Sequence, residues 1–86
     1  MLHVEFTIEP FVEGRPGPHV TAAIEAARRI ADDLDIGPFG SSCTVTPDRL
    51  AELLAALGGT AFGGGATRLT IQIVADDVDG GGEARP

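Results

Sequence analysis

Residues 2–18 read LHVEFTIEPFVEGRPGP, and the first half of that stretch decides the fold. Val4, Phe6 and Ile8 alternate with His3, Glu5, Thr7 and Glu9. A period of two marks a strand with one apolar face and one polar face. Pro10 has no N–H to give to a ladder and ends regular pairing. Residues 13–18, rich in Gly and Pro, predict a loop. Such a strand needs neighbours along its edges and a cover for its apolar face, so the rest of the chain must supply both.

Residues 18–31 predict a helix. Val20, Ala23, Ile24, Ala27 and Ile30 recur at spacings of three and four and form one apolar stripe. Pro18 suits the first turn, where its missing N–H costs nothing, and Arg28 and Arg29 complement the helix dipole at the far end. Residues 33–39, with Leu34 and Ile36 at period two, predict a short second strand. Gly37-Pro38-Phe39-Gly40 then marks a bend or hairpin turn. In residues 41–46, SSCTVT, Cys43 and Val45 alternate with Ser42, Thr44 and Thr46, which predicts a third strand.

Thr46-Pro47-Asp48 reads as a helix start, with Thr46 as the N-cap and Pro47 at the first helical position. Leu50, Leu53, Leu54 and Leu57 follow at i, i+3, i+4 and i+7. Gly58 and Gly59 oppose continuation, since each Gly in a helix costs roughly 1 kcal/mol relative to Ala. A helix ending at Leu57 leaves a long glycine-rich connector, which is unusual in a small domain. The expectation is therefore that the helix runs on to Phe62. Residues 67–75, TRLTIQIVA, predict the last strand, with Leu69, Ile71 and Ile73 on one side and Thr70 and Gln72 on the other. Residues 78–86 have almost no apolar content and predict a disordered tail behind a single domain at 1–77.

The order β-α-β-β-α-β is the split βαβ, or ferredoxin-like, arrangement of the α+β class. It predicts one four-stranded antiparallel sheet with both helices on one face and the other face open. Val4, Phe6, Ile8, Leu69, Ile71 and Ile73 then turn to the helices. His3, Glu5, Thr7, Glu9, Thr44, Thr70 and Gln72 are left on the open face, which suits either a polar ligand or assembly between copies.

Composition narrows the function. The chain has 86 residues and a formal net charge of −7, from 13 acidic against 6 basic residues. Such a balance repels a phosphate backbone, so nucleic acid is not expected as a partner. It favours cationic ligands. No apolar run approaches the length of a membrane span and no secretory signal is visible, so no membrane partner is expected. The one cysteine, Cys43, can form no intrachain disulfide, which fits a cytoplasmic protein. A chain this short buries a modest core and often gains stability by self-association.

The candidates for chemistry are few. Glu5 and Glu9 lie about 13 Å apart along one strand, too far for a tight carboxylate pair. His3, His19 and Cys43 have no metal-ligand spacing, and no metal or other cofactor is expected. Cys43 alternates into the apolar face and reads as inert packing. Glycines 63–65 lack the Gly-Lys-Ser/Thr of a phosphate loop. Acylphosphatase-like catalysis on this topology needs an arginine in a phosphate-cradling first loop and an Asn. Arg15 is the one arginine near that loop, and the chain contains no Asn, so an enzyme is not expected. RNA recognition on the same topology fails on charge and on the missing aromatic platform. More promising is the corner Gly40-Ser41-Ser42, where backbone N–H groups and two hydroxyls beside Phe39 could grip a planar polar molecule.

Three stretches carry a family resemblance: Glu5-Phe6-Thr7-Ile8 followed by Pro10, the run Gly37-Pro38-Phe39-Gly40-Ser41, and the closing strand LTIQIVADD. Together, over residues 2–77, they resemble the small thiamine-binding protein family. The resemblance implies a ferredoxin-like fold, dimers or tetramers assembled through the sheets, and non-enzymatic binding of thiamine or its hydroxymethylpyrimidine moiety. The chain departs from the family's usual pattern in having Ser41 for Thr, Phe39 for Met, and the Gly58-Gly59 pair in the second helix. The implied site lies where the first strand meets the Gly37–Ser42 corner. Glu5 would serve the cationic ligand, Thr7, Gly40, Ser41 and Ser42 would meet the aminopyrimidine, with Thr7 and Ser41 as its principal hydrogen-bond partners, and Phe39 or Phe11 would lie against a ring. The alternative is an oligomeric interaction module with no small-molecule ligand.

Overall fold

The structure is a computed structural model and describes residues 1–10, 17–37 and 40–75. The element order is β1 (Leu2–Glu9), α1 (Pro18–Ile30), β2 (Asp32–Ile36), β3 (Ser41–Val45), a 3-10 turn (Pro47–Arg49), α2 (Leu50–Gly63) and β4 (Arg68–Ala75). The strands form one sheet in the order β2-β3-β1-β4. All three pairings are antiparallel. This is the ferredoxin-like α+β arrangement. The Phe11 position and the tail at 78–86 fall outside the described residues, as do Pro38 and Phe39.

The apolar faces meet as the alternation requires except at the far end of β4. There Leu69 and Ile71 pack against the core, but Ile73, expected to face the helices, is 39% exposed on an edge strand with no neighbour beyond it among the described residues. Val4, Phe6 and Ile8 of β1 and Cys43 and Val45 of β3 are buried against Ala23, Ala27 and Ala31 from α1 and its end, and Leu53, Leu57 and Ala61 from α2. Small alanines on α1 face larger leucines on α2, which lets the two helices lie close over the sheet. Burying a side chain such as Phe6 or Leu53 stabilises a fold by roughly 1.5–3 kcal/mol.

α2 runs through Gly58 and Gly59 to Gly63. Neither of that pair meets another group that would exclude a side chain, and the Thr60 hydroxyl donates to the Ala56 carbonyl at 2.6 Å across the weak turn. Burial of Leu57 and Ala61 on either side holds the helix where propensity alone would let it fray. After the helix, Gly64 passes so close to α1 that an added Cβ would lie 2.7 Å from the His19 Cα. Gly65 makes the turn with φ +107°, in the left-handed region.

Thr46 does not cap α2 as expected. It precedes the 3-10 turn and makes no side-chain capping bond. Its hydroxyl instead bonds the Asp48 carboxylate, which lowers that carboxyl below its usual range, helped by the Asp48 backbone N–H. Closure of the turn falls to the backbone, through Arg49 N–H to the Thr46 carbonyl at 3.0 Å.

β2 is irregular. Asp32 pairs with Thr44 and Asp35 with Ser42, so three steps on β2 answer two on β3. Asp33 absorbs the extra residue with φ 53°, a conformation that Asp tolerates better than most side chains. The bulge keeps Asp32 and Asp35 on one face although they are an odd number of positions apart.

Candidate functional site

The open face is built from cross-strand rows. Paired residues in antiparallel strands point to the same side. Glu5 pairs with Ser42 on β3 and with Gln72 on β4, and Ser42 pairs with Asp35 on β2. One row, Asp35–Ser42–Glu5–Gln72, thus crosses all four strands on the side away from the helices. Thr7 faces Thr70 in the next row toward the β2–β3 turn. On the other side of the central row, His3 faces Thr44 and Val74.

These rows floor an open groove of about 340 Å³. β1 lines it with Glu5, Phe6 and Thr7, and β4 with Thr70 and Gln72. Asp35 and Gly37 close it on the β2 side, and Gly40, Ser41 and Ser42 at the start of β3. The turn between β2 and β3 is pinned by Gly37 N–H donating to the Gly40 carbonyl at 2.7 Å. Gly40 sits tight against β1, where an added Cβ would lie 3.2 Å from the Phe6 carbonyl oxygen and 3.4 Å from the Thr7 hydroxyl. A smaller, mostly apolar recess of about 40 Å³ opens on the helix side of the same turn, walled by Ile8, Val20 and Ile36.

The pairing of β1 with β3 stops at Phe6↔Ser41, whereas its pairing with β4 runs on to Glu9↔Arg68. β3 is therefore shorter than β1 by the length of Thr7 to Glu9, and both recesses lie at this step in the sheet. A shortened strand beside a full one leaves a notch with mixed chemistry. Hydroxyls and carboxylates lie on one side and aliphatic groups on the other.

Of the residues singled out from the sequence, Glu5, Thr7, Gly40, Ser41 and Ser42 come together in this groove. Phe11 and Phe39 lie outside the described residues. Thr7 and Ser41 leave the sheet on opposite sides. Ser41 pairs with inward-facing Phe6, while Ser42 pairs with outward-facing Glu5. The hydroxyl that shares the open face with Thr7 is thus that of Ser42. The alternation of SSCTVT carries this information, since Ser41 has the parity of buried Cys43 and Val45. Asp35 enters the groove through the order of strands β2-β3-β1, which no local pattern displays.

Cys43, His19 and Arg49 serve the fold. Burial raises the Cys43 thiol above its ordinary range by desolvation, which suppresses the thiolate. The His19 ring nitrogen Nε2 lies 2.6 Å from the Pro10 carbonyl and ties the end of β1 to the start of α1. Arg49 pairs with Glu52 at 3.0 Å and donates to the Ile30 carbonyl at 3.3 Å, linking the two helices. Among the described residues no three His, Cys, Asp or Glu side chains converge as metal ligands do. No helix among them is long and apolar enough to cross a membrane.

The fold and groove place the chain among ferredoxin-like α+β proteins. Protein SP2199 from Streptococcus pneumoniae, a crystal structure, superposes with a TM-score of 0.60 at 16% identity, covering 90% of this chain and 88% of its own. A domain of unknown function, DUF77, from Bacillus cereus superposes with a TM-score of 0.53 at 14% identity, covering 87% of this chain and 75% of its own. No protein-family model matches the sequence, and no curated protein does. At these identities the likeness is one of fold.

Proposed function

We propose that this protein binds thiamine or its hydroxymethylpyrimidine moiety without catalysing a reaction, and that it does so as a cytoplasmic homo-oligomer. The observation that carries this reading is the 340 Å³ groove, which gathers hydroxyl, carboxylate and amide side chains beside the Gly37–Gly40 turn. Its volume lies at the lower end of the range, about 300–1,000 Å³, typical of small-molecule sites. An aminopyrimidine offers donors and acceptors on one edge, which Thr7, Ser42 and Gln72 can answer in kind. A thiazolium supplies the positive charge that a groove with two carboxylates and a chain of net charge −7 favour. Titration calorimetry of the full chain with thiamine and with hydroxymethylpyrimidine tests the reading. Saturable binding to either supports it, and absence of heat with both from a folded protein overturns it.

A second reading has its own observation. β4 is a full-length edge strand, and at its far end Ile73 and Val74 are 39% and 51% exposed, close to the β1 terminus, where Met1 is also exposed. A long apolar edge invites pairing with a second copy. On this reading the open face serves assembly alone. Sedimentation velocity with and without thiamine separates the two: an oligomer indifferent to ligand favours assembly, and ligand-dependent stabilisation favours binding.

A further inference from the structure

We propose that Asp35 makes the groove selective for an organic cation over a neutral ligand of the same shape, with the ligand's positive charge held at the β2 side and its hydrogen-bonding ring over Glu5. The proposal rests on the ligand-binding reading above and adds to it a residue and an orientation.

The row Asp35–Ser42–Glu5–Gln72 holds two carboxylates on the open face. Its two carboxylates are separated by two interstrand steps, about 10 Å between backbones. They are not equivalent. Glu5 lies on a central strand between Ser42 and Gln72, both able to donate hydrogen bonds to it. Asp35 lies on the edge strand and has one lateral neighbour, Ser42. Glu5 is therefore placed to take part in a hydrogen-bond network with a ring, and Asp35 is left to act through charge.

Among the described residues nothing that lines the groove balances that charge. The chain has no lysine. Among the described residues the groove lining contains no arginine or histidine, and neither Glu5 nor Asp35 has an ion-pair partner. Arg49 is engaged with Glu52, Arg28 with Glu25, Arg29 sits in the last turn of α1 on the helix side of the sheet, and Arg68 stands opposite Glu9 at the other end of the strand pair. A cation entering the groove meets attraction from both carboxylates, and a neutral ligand leaves their mutual repulsion in place. Thiamine carries a thiazolium cation joined to a neutral aminopyrimidine, and hydroxymethylpyrimidine lacks the cation. The two share the pyrimidine and differ by the whole thiazolium ring, so the part due to charge is read from the Asp35→Asn change and its salt dependence.

The experiment measures affinity by calorimetry for both compounds on the wild-type chain, Asp35→Asn and Glu5→Gln, with circular dichroism as the check on folding. Asp35→Asn is expected to weaken thiamine about fivefold, the scale of one partly exposed charge pair. It should leave hydroxymethylpyrimidine unchanged, whereas Glu5→Gln weakens both. Added salt should erode the thiamine preference of the wild type. Equal effects of Asp35→Asn on both compounds, or none on either, overturn the proposal while the binding reading survives. If neither compound binds the wild type, that reading falls. The charge preference is then decided by amide chemical-shift titration with N-methylpyridinium and, at mildly alkaline pH, neutral pyridine. Shifts around Asp35 and Ser42 with the cation alone, lost in Asp35→Asn, sustain it, and their absence overturns it.

Discussion

Phe6 and Thr7 are neighbours on one strand, yet they belong to surfaces with opposite rules. Phe6 turns into the layer beneath the helices and is 2% exposed, whereas Thr7 turns to the open face beside the groove. On the covered face, identity is set by volume, because a void there loses dispersion contacts that nothing replaces. On the open face it is set by hydrogen-bonding capacity and charge, since water can stand in for any missing neighbour. The covered face explains why the chain folds, and the open face has polar groups that the fold does not require.

The largest effect is expected on the covered side. Phe6→Ala should destabilise the protein by about 3–5 kcal/mol, enough to consume most of the stability of a domain of this size. Urea unfolding followed by circular dichroism measures it. A loss under about 1 kcal/mol would mean that Phe6 does not pack as the buried layer requires. The next effect runs in the opposite direction. Gly58 and Gly59 lie inside α2 with open space where a Cβ would stand. Gly58→Ala and Gly59→Ala should each stabilise by roughly 0.5–1 kcal/mol, read as a higher urea midpoint with the slope unchanged. A destabilising result from either would place another surface against that turn of the helix, such as a second copy of the chain.

The two faces were also unequally legible. Alternation in Leu2–Glu9 reports burial directly, since period two is the geometry of the strand itself, whereas in Arg68–Ala75 it holds through Leu69 and Ile71 and fails at Ile73, which is 39% exposed. The stripes of α1 and α2 are local in the same sense. Continuation of α2 through its glycines was readable from connector length, a weaker signal that tertiary burial of Leu57 and Ala61 makes good. The groove was legible by residue type but not by arrangement. Glu5, Thr7, Gly40, Ser41 and Ser42 are marked by chemistry in the sequence, while the row that joins Asp35 to Glu5 depends on β3 lying between β2 and β1. It depends equally on the bulge at Asp33, which sets the β2 register. Strand order and register are long-range properties, so a sequence pattern of period two shows which side a residue takes and not which residue it meets across the sheet.

The smallest change in stability should come from the open face, and it is the sharpest test of the contrast. Thr7→Val with Ser42→Ala removes two hydroxyls while nearly preserving shape. If water lies over this face in the free protein, lost hydroxyls leave no buried partner unsatisfied, and stability should stay within about 0.5 kcal/mol of wild type. Thiamine binding, measured by calorimetry on the same sample, should fall by at least tenfold, the scale of one or two hydrogen bonds in a desolvated contact. A large stability change that varies with protein concentration would instead show that the face is covered in an assembly. A double variant unchanged in both stability and binding would leave the groove's hydroxyls without a role and move the ligand contacts to backbone groups at the Gly37–Gly40 turn.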